Sequence, residues 1–193
     1  TLQGLGMSLR RDGDYAGAEP LLAQALALRR QRLPADHPEI AYTRVDLAQV
    51  RNDLGDYASA EALYREALAS MEKTLGPDHP NIALTLTTLS RVLKTRRDYD
   101  GARALLQRAL AIRRKVYGER HPHVALTLND LGRLDLEAGD LADAEANFRR
   151  ALALYPADHA WRETTLFNLG ELAERRGDDA TAAARYRESL AAL

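Results

Sequence analysis

The chain has 193 residues, with 27 Lys and Arg against 28 Asp and Glu for a net charge of −1; 46% of its residues are hydrophobic, 6% are aromatic and none is Cys. This balance gives no general pull toward nucleic acid or an anionic membrane, and without Cys there are no disulfides or thiolate metal sites. Lys occurs only at Lys73, Lys94 and Lys115, no apolar run approaches the ~20 residues that span a bilayer, and no signal peptide leads the chain, so a cytoplasmic location is expected.

Ala, Leu, Arg and Glu dominate and strand-type runs of Val, Ile and Thr are missing, which predicts an all-helical chain. Thr1 already lies inside a helical pattern, with Leu2, Leu5 and Leu9 on it, so the chain is expected to be a piece of a longer protein. The first helix stops at Gly13-Asp14-Tyr15. This mark returns as Gly55-Asp56-Tyr57, Arg97-Asp98-Tyr99 and Gly139-Asp140-Leu141, 42 residues apart each time, and as Gly177-Asp178-Asp179 after 38. A fixed period of this kind signals an array of repeats. Each Gly is expected in the left-handed conformation that ends a helix, and each Asp is expected to accept hydrogen bonds from the amides of the next one. Arg97 breaks the Gly column, so its turn is expected to be the least regular.

The second helix of each repeat places its apolar face at Ala18, Leu22, Ala25 and Leu26; then Ala60, Tyr64, Ala67 and Leu68; Ala102, Leu106, Ala109 and Leu110; Ala144, Phe148, Ala151 and Leu152. Alternation of small and large residues lets neighbouring helices approach closely. Pro20 falls in the first turns of its helix, where it removes one backbone bond. A second mark separates the repeats: Asp36-His37-Pro38, Asp78-His79-Pro80 and Arg120-His121-Pro122, again at intervals of 42. Pro suits the first helical position and pushes the His before it out of helical geometry. Gly76, Gly118 and Leu33-Pro34 are expected to end the helices before these linkers. The first helices then carry Ile40, Ala41, Val45, Leu47 and Ala48; Ile82, Ala83, Leu86 and Leu89; Val124, Ala125, Leu128 and Leu131. The last linker, Tyr155 to Trp161, lacks the Pro and is four residues short, about one helical turn. The expected architecture is one array of about five helix pairs, 1–36, 37–78, 79–120, 121–158 and 159–193. Its final helix runs from about Asp178 to Leu193, with Leu190 and Leu193 uncovered.

Leu128-x-x-Leu131-Gly132, the Gly-Asp-Tyr marks, Ala60, Tyr64 and Ala67 resemble the tetratricopeptide repeat. The 42-residue period, the segment Leu75-Gly76-Pro77-Asp78-His79-Pro80 and Ala18-Glu19-Pro20 are similar to its kinesin light chain type. The likeness covers nearly the whole chain; Arg97, Leu141, Asp179 and the short last linker depart from it. It implies a right-handed superhelical solenoid of antiparallel helix pairs whose first helices line a concave groove, and a binding role without naming the partner.

Catalytic signatures are absent: there is no G-x-S-x-G, no H-E-x-x-H, no phosphate loop and no Cys nucleophile. The chain is read as no enzyme, and no cofactor or metal is implied. His37, His79 and His121 lie on successive repeats, too far apart to share an ion, and read as linker residues that hydrogen-bond nearby backbone. Trp161, Tyr57, Tyr64 and Tyr99 read as packing residues.

On the first helices, the column one turn from the packed Leu is Met7, Gln49, Arg91, Arg133 and Glu171, and Arg91, Lys94, Arg96 and Arg97 form a basic cluster with no acid between Ile82 and Arg97. One reading is a peptide site in which Gln49, Arg91, Lys94, Asn129, Arg133 and Asn168 grip an extended segment carrying carboxylates, since Arg donates in a planar fork. The other is solvated charge near a helix C-terminus, where it is favourable without a ligand. The family's Asn-rich neighbourhood is matched only in part at Asn129 and Asn168, and the chaperone-type carboxylate clamp is not reproduced. The alternative role is structural, a spacer or oligomeriser that stacks through its uncovered ends.

Overall fold

The computed structural model describes residues 1–156 and 159–191, and all regular structure among them is α-helical. The chain divides into two compact units, 1–98 and 99–193. The first contains α1 (Leu2–Arg11), α2 (Tyr15–Arg32), α3 (Pro38–Asp53), α4 (Tyr57–Leu75) and α5 (Pro80–Thr95). The second contains α6 (Tyr99–Tyr117), α7 (Pro122–Ala138), α8 (Leu141–Leu154), α9 (Ala160–Arg175) and α10 (Asp179–Leu190). The boundary falls inside the third expected pair. The expected extension of the last helix to Leu193 reaches beyond the described residues; α10 itself ends at Leu190.

Each tight turn is built from the residues that mark it in the sequence. Gly13, Gly55, Gly139 and Gly177 have φ between +74° and +92°, a region that costs an L side chain about 1–2 kcal/mol. The next amide folds back onto the helix just ended: Asp14 N–H donates to the Leu9 carbonyl (2.9 Å) and Asp56 N–H to that of Arg51 (2.8 Å). The carboxylates then cap the new helix, Asp14 accepting from Gly17 N–H at 2.8 Å, Asp56 from Ser59 at 3.2 Å and Asp178 from Thr181 at 3.1 Å. Asp140 is an exception to the expected pattern. It makes no such bond, and its carboxylate instead accepts from Arg103 at 2.5 Å.

The expectation of an irregular turn at Arg97 is not met. Arg97 takes φ +62° itself, and Asp98 N–H reaches the Leu93 carbonyl at 2.9 Å, as in the Gly turns. The backbone bonds of the turn outweigh the steric cost of one Cβ.

At the His-Pro linkers the imidazole is the cap. His37, His79 and His121 accept through Nδ1 from the amides of Glu39, Asn81 and His123 at 3.1–3.3 Å, and Pro sits at the first helical position, where no amide partner is needed. His159 does the same for Trp161 without a Pro. The shortened last linker follows a shortened helix, α8 having 14 residues against 19 in α4 and α6. Ala157 and Asp158 of that linker lie outside the described residues.

The cores are stripes between successive helices. In the first unit Ala18, Leu22 and Leu26 of α2 pack with Ile40, Leu47 and Val50 of α3. In the second, Leu136, Ala144, Phe148, Leu169 and Leu172 join α7, α8 and α9. Each large side chain so buried contributes roughly 1.5–3 kcal/mol.

Candidate functional site

The expected site residues all stand on first helices and divide between the units. In the first unit Gln49 is half-buried on α3, Arg91 is exposed on α5, and Lys94, one turn further, is half-buried and engaged with a partner. Arg96, next in the basic cluster, pairs with Glu61, so that cluster is partly neutralised. In the second unit Arg133 is exposed on α7, whereas Asn129 and Asn168 are each 5% exposed and bonded to one another, Asn168 Nδ2 donating to Asn129 Oδ1 at 2.9 Å. The equivalent position in the first unit is filled by Gln3 Nε2, donating to Asp46 Oδ2 at 2.6 Å. Burial raises the Asp46 carboxyl above its ordinary value; the Gln3 bond and the charges of Arg10 and Arg29 oppose the rise.

Neither the Arg91 nor the Arg133 guanidinium makes a hydrogen bond or ion pair to a described residue. Nearby arginines behave differently. Arg10 holds Asp53 at 2.7 Å and Arg51 holds both Glu19 (2.5 Å) and Asp56 (2.9 Å). Arg103 clasps Asp135, which is 2% exposed, at 2.9 Å, and Asn147 satisfies that carboxylate's other oxygen at 2.8 Å. Bonds to these carboxylates raise Arg51 and Arg103 above the ordinary guanidinium value.

A chain of six rings runs along the linker edge of the second unit. Tyr117 stacks on His121 (4.6 Å), His121 lies 5.1 Å from His123 and His123 6.0 Å from Trp161. Trp161 contacts both Tyr155 (6.2 Å) and His159 (5.1 Å). Burial, with lesser help from the charges of Arg113 and His121, pushes His123 below the usual imidazole value. Trp161 is half-buried here, and its ring contacts extend to two histidines, His123 and His159, that periodicity did not single out as its neighbours. Among the described residues no group of three or more His, Cys, Asp or Glu is placed to hold a metal ion, and no helix is long and apolar enough to cross a membrane.

On the second-helix side of the first unit, a hollow of about 450 Å³ lies between α2 and α4. Leu26, Arg30, Leu47, Leu63 and Glu66 are among its lining residues, and Arg30 and Glu66 pair across it at 3.3 Å.

Family models described as tetratricopeptide repeat match residues 1–73, 39–115, 92–157 and 129–193. The chain belongs to the tetratricopeptide repeat family. Among solved structures, BtubC (BKLC) from P. vanneervenii is 25% identical with a TM-score of 0.86, over 99% of this chain and 78% of that one. The nearly identical TPR-like repeats of a kinesin light chain-like protein from Podosopora anserina match at 22% identity and TM-score 0.85, over 99% of this chain and 92% of that one. The apo form of RapI matches at 15% identity and TM-score 0.83, over 99% of this chain and 68% of its own. A search of the curated proteins returns no match. The tetratricopeptide repeat is a fold typical of protein-interaction scaffolds, and these solved structures share it.

Proposed function

We propose that this tetratricopeptide repeat chain is a non-catalytic interaction module that binds an extended, carboxylate-bearing peptide along its first helices. The observation that supports this reading most is the state of Arg91 and Arg133. They hold the same register position on α5 and α7, both are exposed, and neither is spent on a described carboxylate, whereas Arg10, Arg51 and Arg103 are. A planar guanidinium free of internal partners can take a carboxylate in a two-point grip. Gln49 and Lys94 flank Arg91 on the first unit's face. On the second unit's face Asn129 and Asn168 tie α7 to α9 and so hold the surface that carries Arg133.

The test is capture of acidic peptides from a random display library by the chain and by the double variant Arg91→Glu with Arg133→Glu. Capture is expected to be lost in the variant with helicity unchanged, since both residues are exposed; equal capture by the two proteins would discard the site.

A further inference from the structure

The column that carries Arg91 and Arg133 continues onto α9 as Glu171, so within the second unit its charge reverses between one first helix and the next. Arg91 and Arg133 are exposed in this column on first helices with a repeat on either side, so the column faces solvent throughout the array. The bond from Asn168 Nδ2 to Asn129 Oδ1, at 2.9 Å, lies about one helical turn before Arg133 and Glu171 and fixes how α7 meets α9. It holds the two opposite charges at one level on neighbouring helices.

They do not pair with each other. The Arg133 guanidinium has no described partner, and Glu171 instead accepts through Oε1 from Arg175 Nη2 at 3.3 Å. Arg175 is itself anchored, its Nη1 donating to the Leu136 carbonyl near the end of α7 at 2.8 Å. Arg175 is thus a positioning residue that keeps Glu171 from closing over Arg133, and the Glu171 side chain stays 40% exposed. Packed helices lie about 8–10 Å apart and an extended peptide rises about 3.3 Å per residue, so roughly three peptide residues span the step from one charge to the other.

Resting on the reading that this face takes a carboxylate-bearing peptide, we propose that the second unit selects a segment of mixed charge. Arg133 holds the carboxylate, and Glu171 holds a Lys or Arg about three residues away from it. A second acid at that place would meet Glu171 and be disfavoured by like charge, so the step from α7 to α9 sets specificity where Arg133 alone would accept any acidic segment.

The experiment is selection from a random peptide display library on the full chain, with the recovered peptides sequenced, for the parent protein, Glu171→Gln and Glu171→Lys. The parent is expected to recover acidic peptides in which Lys or Arg about three residues from an acid is enriched about fivefold over the input, the upper range for an exposed ion pair. Glu171→Gln should keep the acids and lose that enrichment, and Glu171→Lys should replace it with enrichment of a second Asp or Glu. Fluorescence anisotropy then compares one recovered peptide with the same peptide carrying Ala in place of its basic residue. The Ala form should bind the parent about fivefold more weakly and Glu171→Gln equally well. Acidic peptides recovered without a basic neighbour, or an enrichment unchanged in Glu171→Gln, would overturn this proposal and leave the carboxylate site standing. Recovery of no acidic peptide by the parent would overturn both.

Discussion

The ring of Phe148 occupies the space a side chain on Gly132 would need: a Cβ there would lie 2.6 Å from Cδ1 and Cε1 of the ring. The two residues face each other across α7 and α8, and the contact repeats at the next pair, where a Cβ on Gly170 would lie 2.5 Å from the Tyr186 ring. Gly132→Ala is therefore expected to destabilise the fold by about 1–3 kcal/mol, the usual range for overpacking a filled core. Urea unfolding measures it. With Phe148→Leu in the same chain, the alanine should cost less than it does alone, the sign of a shared contact.

Arg97 carries the steric cost of φ +62° in a turn that elsewhere uses Gly. Arg97→Gly should remove it and raise stability by ~1 kcal/mol, while Arg97→Ala, which keeps the Cβ, should change little. Thermal unfolding of the three proteins side by side decides this; a loss of stability in the Gly variant would mean the Arg side chain itself holds the turn.

The depressed His123 value carries a pH dependence with a defined sign. Its neutral form is favoured in the folded chain, so below the ordinary value of 6.5 the unfolded chain takes up a proton that the folded chain resists. This contribution is fully present above that pH and is lost as the pH falls through and below it. His123→Gln should flatten the acid-side decline in stability relative to the parent protein; the other histidines remain in both proteins and cancel. Identical slopes would show that His123 is protonated equally in both states.

Period and punctuation made the helix order legible because each mark has a local cause: left-handed Gly, Asp caps, and Pro at a first helical position. The same locality explains the miss at Arg97, where cooperative backbone bonds overrode a single-residue preference. It also explains Asp140, drawn from its capping role by Arg103, which lies 37 residues away in sequence. Arg51 with Glu19 and Asp135 with Arg103 occupy equivalent positions with their charges exchanged. Comparing columns 32 residues apart would have exposed this ladder, but a search for faces within one helix does not make that comparison. The site was legible as a list of polar residues on first helices. Which of them are already engaged was not, since the Asn129–Asn168 bond depends on how α7 meets α9.

Backbone amide exchange, in the presence and absence of an acidic peptide recovered from the library, tests most directly whether the first helices form the binding surface. Slowed exchange is predicted along α3, α5 and α7 around Gln49, Arg91 and Arg133, weakening as salt is raised. Protection confined to the α2–α4 hollow around Leu63 and Glu66, or to the end around Phe167 and Leu190, with those first helices unchanged, would contradict it.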